Sequence, residues 1–318
     1  MQVSFVIPLY NCLPLTQAMV ASLQAAMPPD LTHEIILVDD GSTDGTRDWL
    51  AGLTSPPGPF RVILNEHNLG YAGANNRGAA AARGDLLGLL NNDLVLSPGW
   101  LEPILAVHQQ LGPRAGLVGN VQRNARTGAI DHSGIFINHR GKPEHDTSLP
   151  LGLRFRPRDT WRPADAVTGA CTFVRRELFI QLGGFDEGFA NGGEDVDFCL
   201  RSRAAGHLSA VALRSVVRHH ISASPGRKLR DEQNSRRLTL RWRDELARLA
   251  AHSTWSRHYL ESEWTGPHDA TDYPLARQAL FYLLRLRREP PAAAYAGMQA
   301  AIAVELARWD RILGPQST

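Results

Sequence analysis

Apolar residues in the first third of this chain gather in short runs. They occupy residues 3–9, 35–38, 61–64 and 86–90. Runs this short, bounded by turn residues, predict strands buried on both faces. Between them apolar positions recur at helical spacing over residues 15–26, 43–53, 72–83 and 101–110. Pro14 stands near the first position of the first helix, where its missing N–H is harmless. Ser42, Thr43 or Asp44 is placed to cap the second. Strands alternating with helices predict an α/β protein with a mostly parallel central sheet flanked by helices.

After about residue 115 the pattern changes. Gly, Asn, His and Arg become frequent, with β-like pieces only at 117–121, 134–137, 170–174 and 208–217. This predicts an irregular second half that carries substrate loops. Helical spacing returns over 238–249, 273–286 and 292–313. Arg285, Arg287 and Arg288 close the middle helix, and Pro290 and Pro291 separate it from the last. The expected division is a domain over 1–230 and a helical, basic C-terminal region over 231–318.

The 318 residues, 43% of them hydrophobic, suit one large α/β domain or a smaller one with a tail. The net charge of +2 gives no argument for nucleic acid. Its distribution says more. Residues 1–200 hold 15 Lys/Arg against 21 Asp/Glu, and residues 201–318 hold 19 against 11. An acidic first part suits a metal-using domain. A basic tail suits phosphates, an anionic membrane, or nothing beyond a solvated helical surface. Cys12, Cys171 and Cys199 are scattered and none forms a CxxC, so a disulfide framework or zinc site is not expected and a reducing cytoplasm is. The opening MQVSFVIPLYN lacks the basic start of a signal peptide, and no run of about 18 apolar residues predicts a membrane span.

Three acidic clusters then bear on chemistry: HEIILVDDGSTDG at 33–45, LLGLLNND at 86–93 and GGEDVD at 192–197. The first two follow strands, and ligands of open α/β sheets bind beyond the carboxyl ends of strands. Asp40 can accept hydrogen bonds from a nucleobase imide or a ribose hydroxyl, with Asp39 beside it. Both could instead cap the next helix. Asn91-Asn92-Asp93 suits a turn as well as a cation site anchored by one carboxylate. Glu194, Asp195 and Asp197 suit a helix start as well as a general base. Asn68, Gly70, Asn75, Asn76 and Gly78 form a loop-to-helix passage. Its glycines would admit a nucleotide close to the backbone and its amides would bond ribose or phosphate. Trp161, Phe185 and Phe189 are candidates for stacking on a sugar face or for the core.

These pieces occur in a telling order: VSFVIPLYN, EIILVDDGSTDGT, NLGYAGANNRG, GDLLGLLNNDLVLSPGWL, TGACTFVRRELFIQLGGFDEGF, GEDVDFCLR and HHISAS. Over about residues 3–224 the chain resembles the inverting family 2 glycosyltransferases with the GT-A fold, in particular their rhamnosyltransferase-like branch. The resemblance implies a nucleotide-sugar-binding half at 1–115 and an acceptor-binding half at 116–230. It places Pro8, Tyr10, Asp39, Asp40, Asn68, Gly70, Asn75 and Asn92 at the nucleotide. It assigns Asp93 and His219 to a divalent cation, Mn²⁺ or Mg²⁺, with His220 as the alternative ligand. Asp195 becomes the base, and Thr168, Gly169, Phe185 and Glu194 the acceptor wall.

Two departures stand out. The family's metal motif is Asp-X-Asp-like, whereas here it reads Asn91-Asn92-Asp93 and keeps only the last carboxylate, and Ser222 replaces a glycine after His219. Arg227, Lys228 and Arg230 suit a basic lid over a diphosphate or a solvated run. The implied reaction moves a single sugar from a UDP- or dTDP-sugar to a glycan, lipid-linked or protein acceptor. A non-catalytic nucleotide- or glycan-binding scaffold and a sugar-nucleotide pyrophosphorylase are the alternatives. A processive synthase is not expected, because Gln233-Asn234-Ser235-Arg236 is followed by Arg237 rather than Trp. The expected location is the cytoplasm, with three roles open for the basic tail: contact with the inner face of the membrane, a homo-oligomer interface, or a cover for the catalytic domain.

Overall fold

The computed structural model describes residues 2–53, 60–149, 160–220, 230–264 and 273–314. The first half alternates as its apolar runs require. The order is β1 (Val3–Leu9), α1 (Leu13–Ala25), β2 (His33–Asp39), α2 (Thr46–Leu53), β3 (Phe60–Leu64), α3 (Gly70–Ala81), β4 (Leu86–Leu90), β5 (Leu94–Val95) and α4 (Glu102–Leu111). There follow β6 (Ala115–Asn124), β7 (Ile130–His132), β8 (Ile135–Ile137), β9 (Pro143–His145), β10 (Trp161–Pro163), β11 (Cys171–Arg175), α5 (Arg176–Gln181), α6 (Glu194–Ala204) and β12 (Leu208–His219).

The central sheet runs β10-β12-β6-β11-β4-β1-β2-β3. Four neighbours pair in parallel: β12 with β6, β4 with β1, β1 with β2, and β2 with β3. The sheet is mixed because β11 enters antiparallel between β4 and β6. That reversal puts the start of β11 beside the end of β4. The two-residue β5 pairs antiparallel with the end of β12, Leu94 opposite His219. Nothing in the apolar pattern announces so short a strand.

One face of the sheet buries Phe5, Ile7 and Leu9 with Met19 and Leu23 of α1 and with Trp100 and Phe173. On the other face α3 lies directly on β1 and β2. A Cβ on Gly78 would stand 2.3 Å from Val6 Cγ1, so only glycine lets the helix approach this closely.

The chain forms two compact units, residues 1–135 with 145–230 and residues 136–144 with 231–318. Residues 136–144 therefore group with the C-terminal helices, whereas the sequence places them in the acceptor half. The reason is local. Gly141 lies against Ile302, Lys142 pairs with Glu305 at 3.0 Å, and the Ser253 and Thr254 hydroxyls both donate to the Ile137 carbonyl.

The C-terminal unit continues with α7 (Asp231–Ala250), kinked at Trp242, then π-helical turns at Ala251–Trp255 and Tyr259–Glu263 around α8 (Ser256–His258). It ends with α9 (Tyr273–Leu283) and α10 (Ala292–Leu313). The sequence expects α9 to reach residue 286 and to be closed by three arginines. It stops three residues earlier because Arg285 turns left-handed at φ 59°. The Arg285 N–H bonds to Tyr282 O and the Leu286 N–H to Phe281 O, the Schellman pattern that ends a helix.

Candidate active site at the carboxyl edge of the sheet

The loops after β1 and β2 are clasped together. Asn11 and Cys12 both have left-handed backbones. Asn11 donates its N–H to Ser42 Oγ and accepts the Thr43 N–H, while Asp44 accepts the N–H groups of Leu13 and Thr46. Of the three proposed helix caps, Asp44 is thus the one at the start of α2. Tyr10 projects from this clasp half exposed, and Pro8 is partly buried within β1.

The two adjacent aspartates have separate tasks. Asp39 is fully buried, accepts the Ser42 N–H and pairs with Arg47 Nε at 2.7 Å. Arg47 also donates to the Asn65 carbonyl. Asp40 reaches across to α3. Its Oδ1 accepts Asn65 Nδ2 at 2.7 Å and the Leu69 N–H at 2.9 Å, and its Oδ2 accepts the Gly70 N–H at 2.9 Å. Gly70 has φ 78°, which glycine alone adopts freely, and the exposed Asn68 side chain accepts its N–H as well. Asp40 therefore holds the positive end of α3 at the sheet edge.

Several residues of the α3 passage turn inward. Asn75, expected at ribose or phosphate, is fully buried and donates to Tyr71 O, leaving its Oδ1 without a partner. Asn76 forms a two-way bond with the backbone of Phe185. Phe185, which the sequence leaves between the acceptor wall and the core, is 2% exposed and closes an aromatic cluster with Tyr71, Phe179 and Phe198. Its apolar ring gains more from that cluster than a lone ring would at an open sugar face. Phe189 is buried too, and Trp161 is partly buried in β10.

A chain of hydrogen bonds then joins three distant stretches. The Asn91 N–H donates to Ala170 O at 2.8 Å, bringing residues 168–170 against the end of β4. The Gly169 N–H donates to Asp195 Oδ2 at 2.8 Å. The Tyr71 hydroxyl donates to Gly169 O at 2.7 Å. Burial first, then the charges of Glu194 and Asp195, raise the Tyr71 pKa well above its ordinary value, so it stays a donor. A side chain on Gly169 would strike that hydroxyl.

Asp195 is partly exposed in the first turn of α6, after the left-handed Asn191, Gly192 and Gly193. Glu194 is nearly buried and folds back to accept the Gly192 N–H. Asp197 is fully buried and paired with Arg201, whose guanidinium also donates to Leu182 O and Gly184 O. Thr168 is nearly buried.

Asp93 and His219 meet because β5 pairs with the end of β12. Asp93 Oδ1 lies 3.1 Å from His219 Nε2, and both residues are buried. The groups are close but not aligned for a hydrogen bond, so among the described residues Asp93 Oδ1 and both His219 ring nitrogens have no hydrogen-bond partner. Among the described residues no group of three or more ligating side chains gathers, so this carboxylate and imidazole would by themselves offer a divalent cation such as Mn²⁺ or Mg²⁺ two of its ligands. His220 is exposed and donates its backbone N–H to Asp93 O. Asn92 is tied to α1 through the Thr16 hydroxyl. Ser222, Arg227 and Lys228 lie outside the described residues, and Arg230 is exposed.

No motif in the sequence singles out Tyr71, Asn65, Asn191 or His132. Tyr71 stands inside the NLGYAGANNRG passage, among the glycines and amides that suit a nucleotide. His132 is fully buried with both ring nitrogens unpaired. Burial above all, and then the nearby His145, Arg162 and His219, hold its pKa well below the ordinary value.

With this geometry in view, the chain can be set beside known proteins. Residues 4–183 match the family model "Glycosyl transferase family 2". An O-antigen biosynthesis protein, RfbC, of Myxococcus xanthus is 33% identical over 70% of this chain and 18% of its own length. An N-acetylglucosaminyl-diphospho-decaprenol L-rhamnosyltransferase of Mycobacterium tuberculosis is 30% identical over 69% of this chain and 76% of its own. The chain spans 26% and 18% of the length of two of the curated relatives it matches. Among solved structures, GalNAc-T7 with UDP, GalNAc and Mn²⁺ matches with a TM-score of 0.65 at 20% identity. That match covers 90% of this chain and 56% of the other.

Proposed function

The chain belongs to glycosyl transferase family 2 and has the GT-A fold, and from that premise we propose an inverting glycosyltransferase that adds a single sugar. The donor is a UDP- or dTDP-sugar and the acceptor a glycan, lipid-linked sugar or protein. One relative's name gives an L-rhamnosyl transfer to a decaprenol-linked acceptor, and a structural neighbour carries UDP, GalNAc and Mn²⁺. These support a nucleotide-sugar donor and a lipid-linked acceptor.

The observation that carries the reading is the pair Asp93–His219, open and buried, with residues 169–170 linking Asp195 to the same sheet edge. Asp195 takes the proton from the acceptor hydroxyl as that oxygen bonds to the anomeric carbon. The bond from that carbon to the diphosphate breaks on the opposite side, which inverts the centre. Asp93 and His219 would hold the divalent cation, which when bound neutralises the charge gathering on the departing diphosphate. Gly169 and Val196 donate their N–H groups to the two Asp195 oxygens and so orient the carboxylate, and the partly exposed residue faces the acceptor.

A thermal-shift and transfer panel of UDP- and dTDP-sugars with and without Mn²⁺ tests this. A matching nucleotide with Mn²⁺ should raise the melting temperature of the wild type and not of Asp93→Ala. Asp195→Asn should keep that shift yet lower transfer by about 10²–10⁴-fold, and the product should carry the inverted anomer. If no nucleotide shifts the melting temperature under any metal condition, the non-catalytic scaffold takes precedence. Wild-type turnover in Asp195→Asn would remove that residue as the base.

A further inference from the structure

We propose that the outward face of α9, with the arginines that follow it, docks on an anionic phospholipid surface. The helix is apolar on two sides. Ala276 and Ala279 are buried against the C-terminal unit. Residues 273, 277, 280, 281 and 284 share the opposite side at helical spacing. There Tyr273, Leu280, Phe281 and Leu284 are exposed by 58%, 45%, 42% and 58%, and Leu286 just beyond by 71%. A row of large apolar side chains left in water over one helix face marks an interaction surface rather than scattered exposure.

Charge selects the occupant. Residues 273–288 contain Arg277, Arg285, Arg287 and Arg288 and no acidic residue. The left-handed turn at Arg285 directs the chain so that Tyr282, Leu283, Arg285, Arg287 and Arg288 line one open pocket. Arg287 is steadied there by Gln278 Oε1 and Glu289 O. Three guanidinium groups at the rim of an apolar face match a phosphodiester headgroup above acyl chains, the arrangement of an interfacial helix. A second copy of this chain fits poorly, because a two-fold pairing would bring the same four positive charges together. No helix among the described residues is long and apolar enough to cross a membrane, so this contact is peripheral.

The test is co-sedimentation of the full chain with phosphatidylcholine vesicles, with and without phosphatidylglycerol. The chain should bind the anionic vesicles, leave the neutral ones, and dissociate as salt rises. Arg285→Gln/Arg287→Gln/Arg288→Gln should weaken binding by about fivefold per arginine, on the order of a hundredfold together. Leu280→Ser/Leu284→Ser should weaken it by about tenfold or more. Melting temperatures and donor turnover without vesicles should stay at wild-type values in both variants, which separates loss of docking from loss of fold or catalysis. Failure of the wild type to sediment with anionic vesicles overturns the proposal, as does equal binding by the variants. A vesicle-free dimer that the leucine variant dissociates would assign the face to a second copy instead.

Discussion

Asp40 and Asp195 are both carboxylates that accept backbone N–H groups, yet their surroundings separate their uses. Asp40 is 3% exposed and receives three hydrogen bonds, so its work is to fasten α3 to the sheet edge. Removing it strands the N–H of Leu69 and the amide of Asn65, while the Gly70 N–H keeps only Asn68 Oδ1. Asp40→Ala should therefore cost about 3 kcal/mol of stability in urea unfolding, within the range for unpaired buried donors. A loss under about 1 kcal/mol would mean that water replaces the carboxylate. Asp195 instead is partly exposed, with one backbone N–H on each oxygen. At this scale the sequence shows which residue types are present and where strands end. It does not show which aspartate is saturated by its neighbours, because Asn65, Leu69 and Gly70 reach Asp40 only after α3 packs. The same holds for Phe185, whose burial depends on Tyr71, Phe179 and Phe198 converging from three segments.

Among the elements, α4 carries a titratable link to the sheet. His108 is 6% exposed and its Nε2 lies 3.1 Å from Phe173 O of β11. Burial, outweighing that bond, lowers its pKa to about 4. The folded protein thus holds it neutral, while the unfolded chain protonates it near pH 6.5. The stability it contributes is complete above about pH 6.5 and is lost as pH falls toward 4. Between pH 7 and pH 5 that loss amounts to about 2 kcal/mol. His108→Gln, which retains a donor for Phe173 O, should unfold with a pH slope shallower by that amount; equal slopes would assign the acid sensitivity elsewhere. The helices and parallel strands of the first half were legible because each buries an uninterrupted or periodic apolar set. The strands β5, β7, β9 and β10 were not, since two or three residues carry no period. Yet β5 is what sets Asp93 beside His219.

For the whole molecule, the two compact units do not divide at one point in the sequence. Residues 136–144 depend on α10 and the π-helical turn through Gly141, Lys142 and Ile137. A chain ended at Arg230 should leave that segment without its partners. Limited proteolysis should then cut within 136–144 far faster than in the full chain, where the two forms are compared at equal protease. Equal rates would show that the segment is held by the first unit alone. The sequence by itself determined the alternation of strands and helices, the order of the motifs and the identity of the acidic clusters, because these follow from local periodicity and residue chemistry. Tertiary structure alone decided the antiparallel entry of β11, the meeting of Asp93 with His219, the burial of Phe185 and Asn75, and the outward apolar face of α9. Each of these depends on contacts between segments far apart in the chain, and no local pattern encodes which segments will meet.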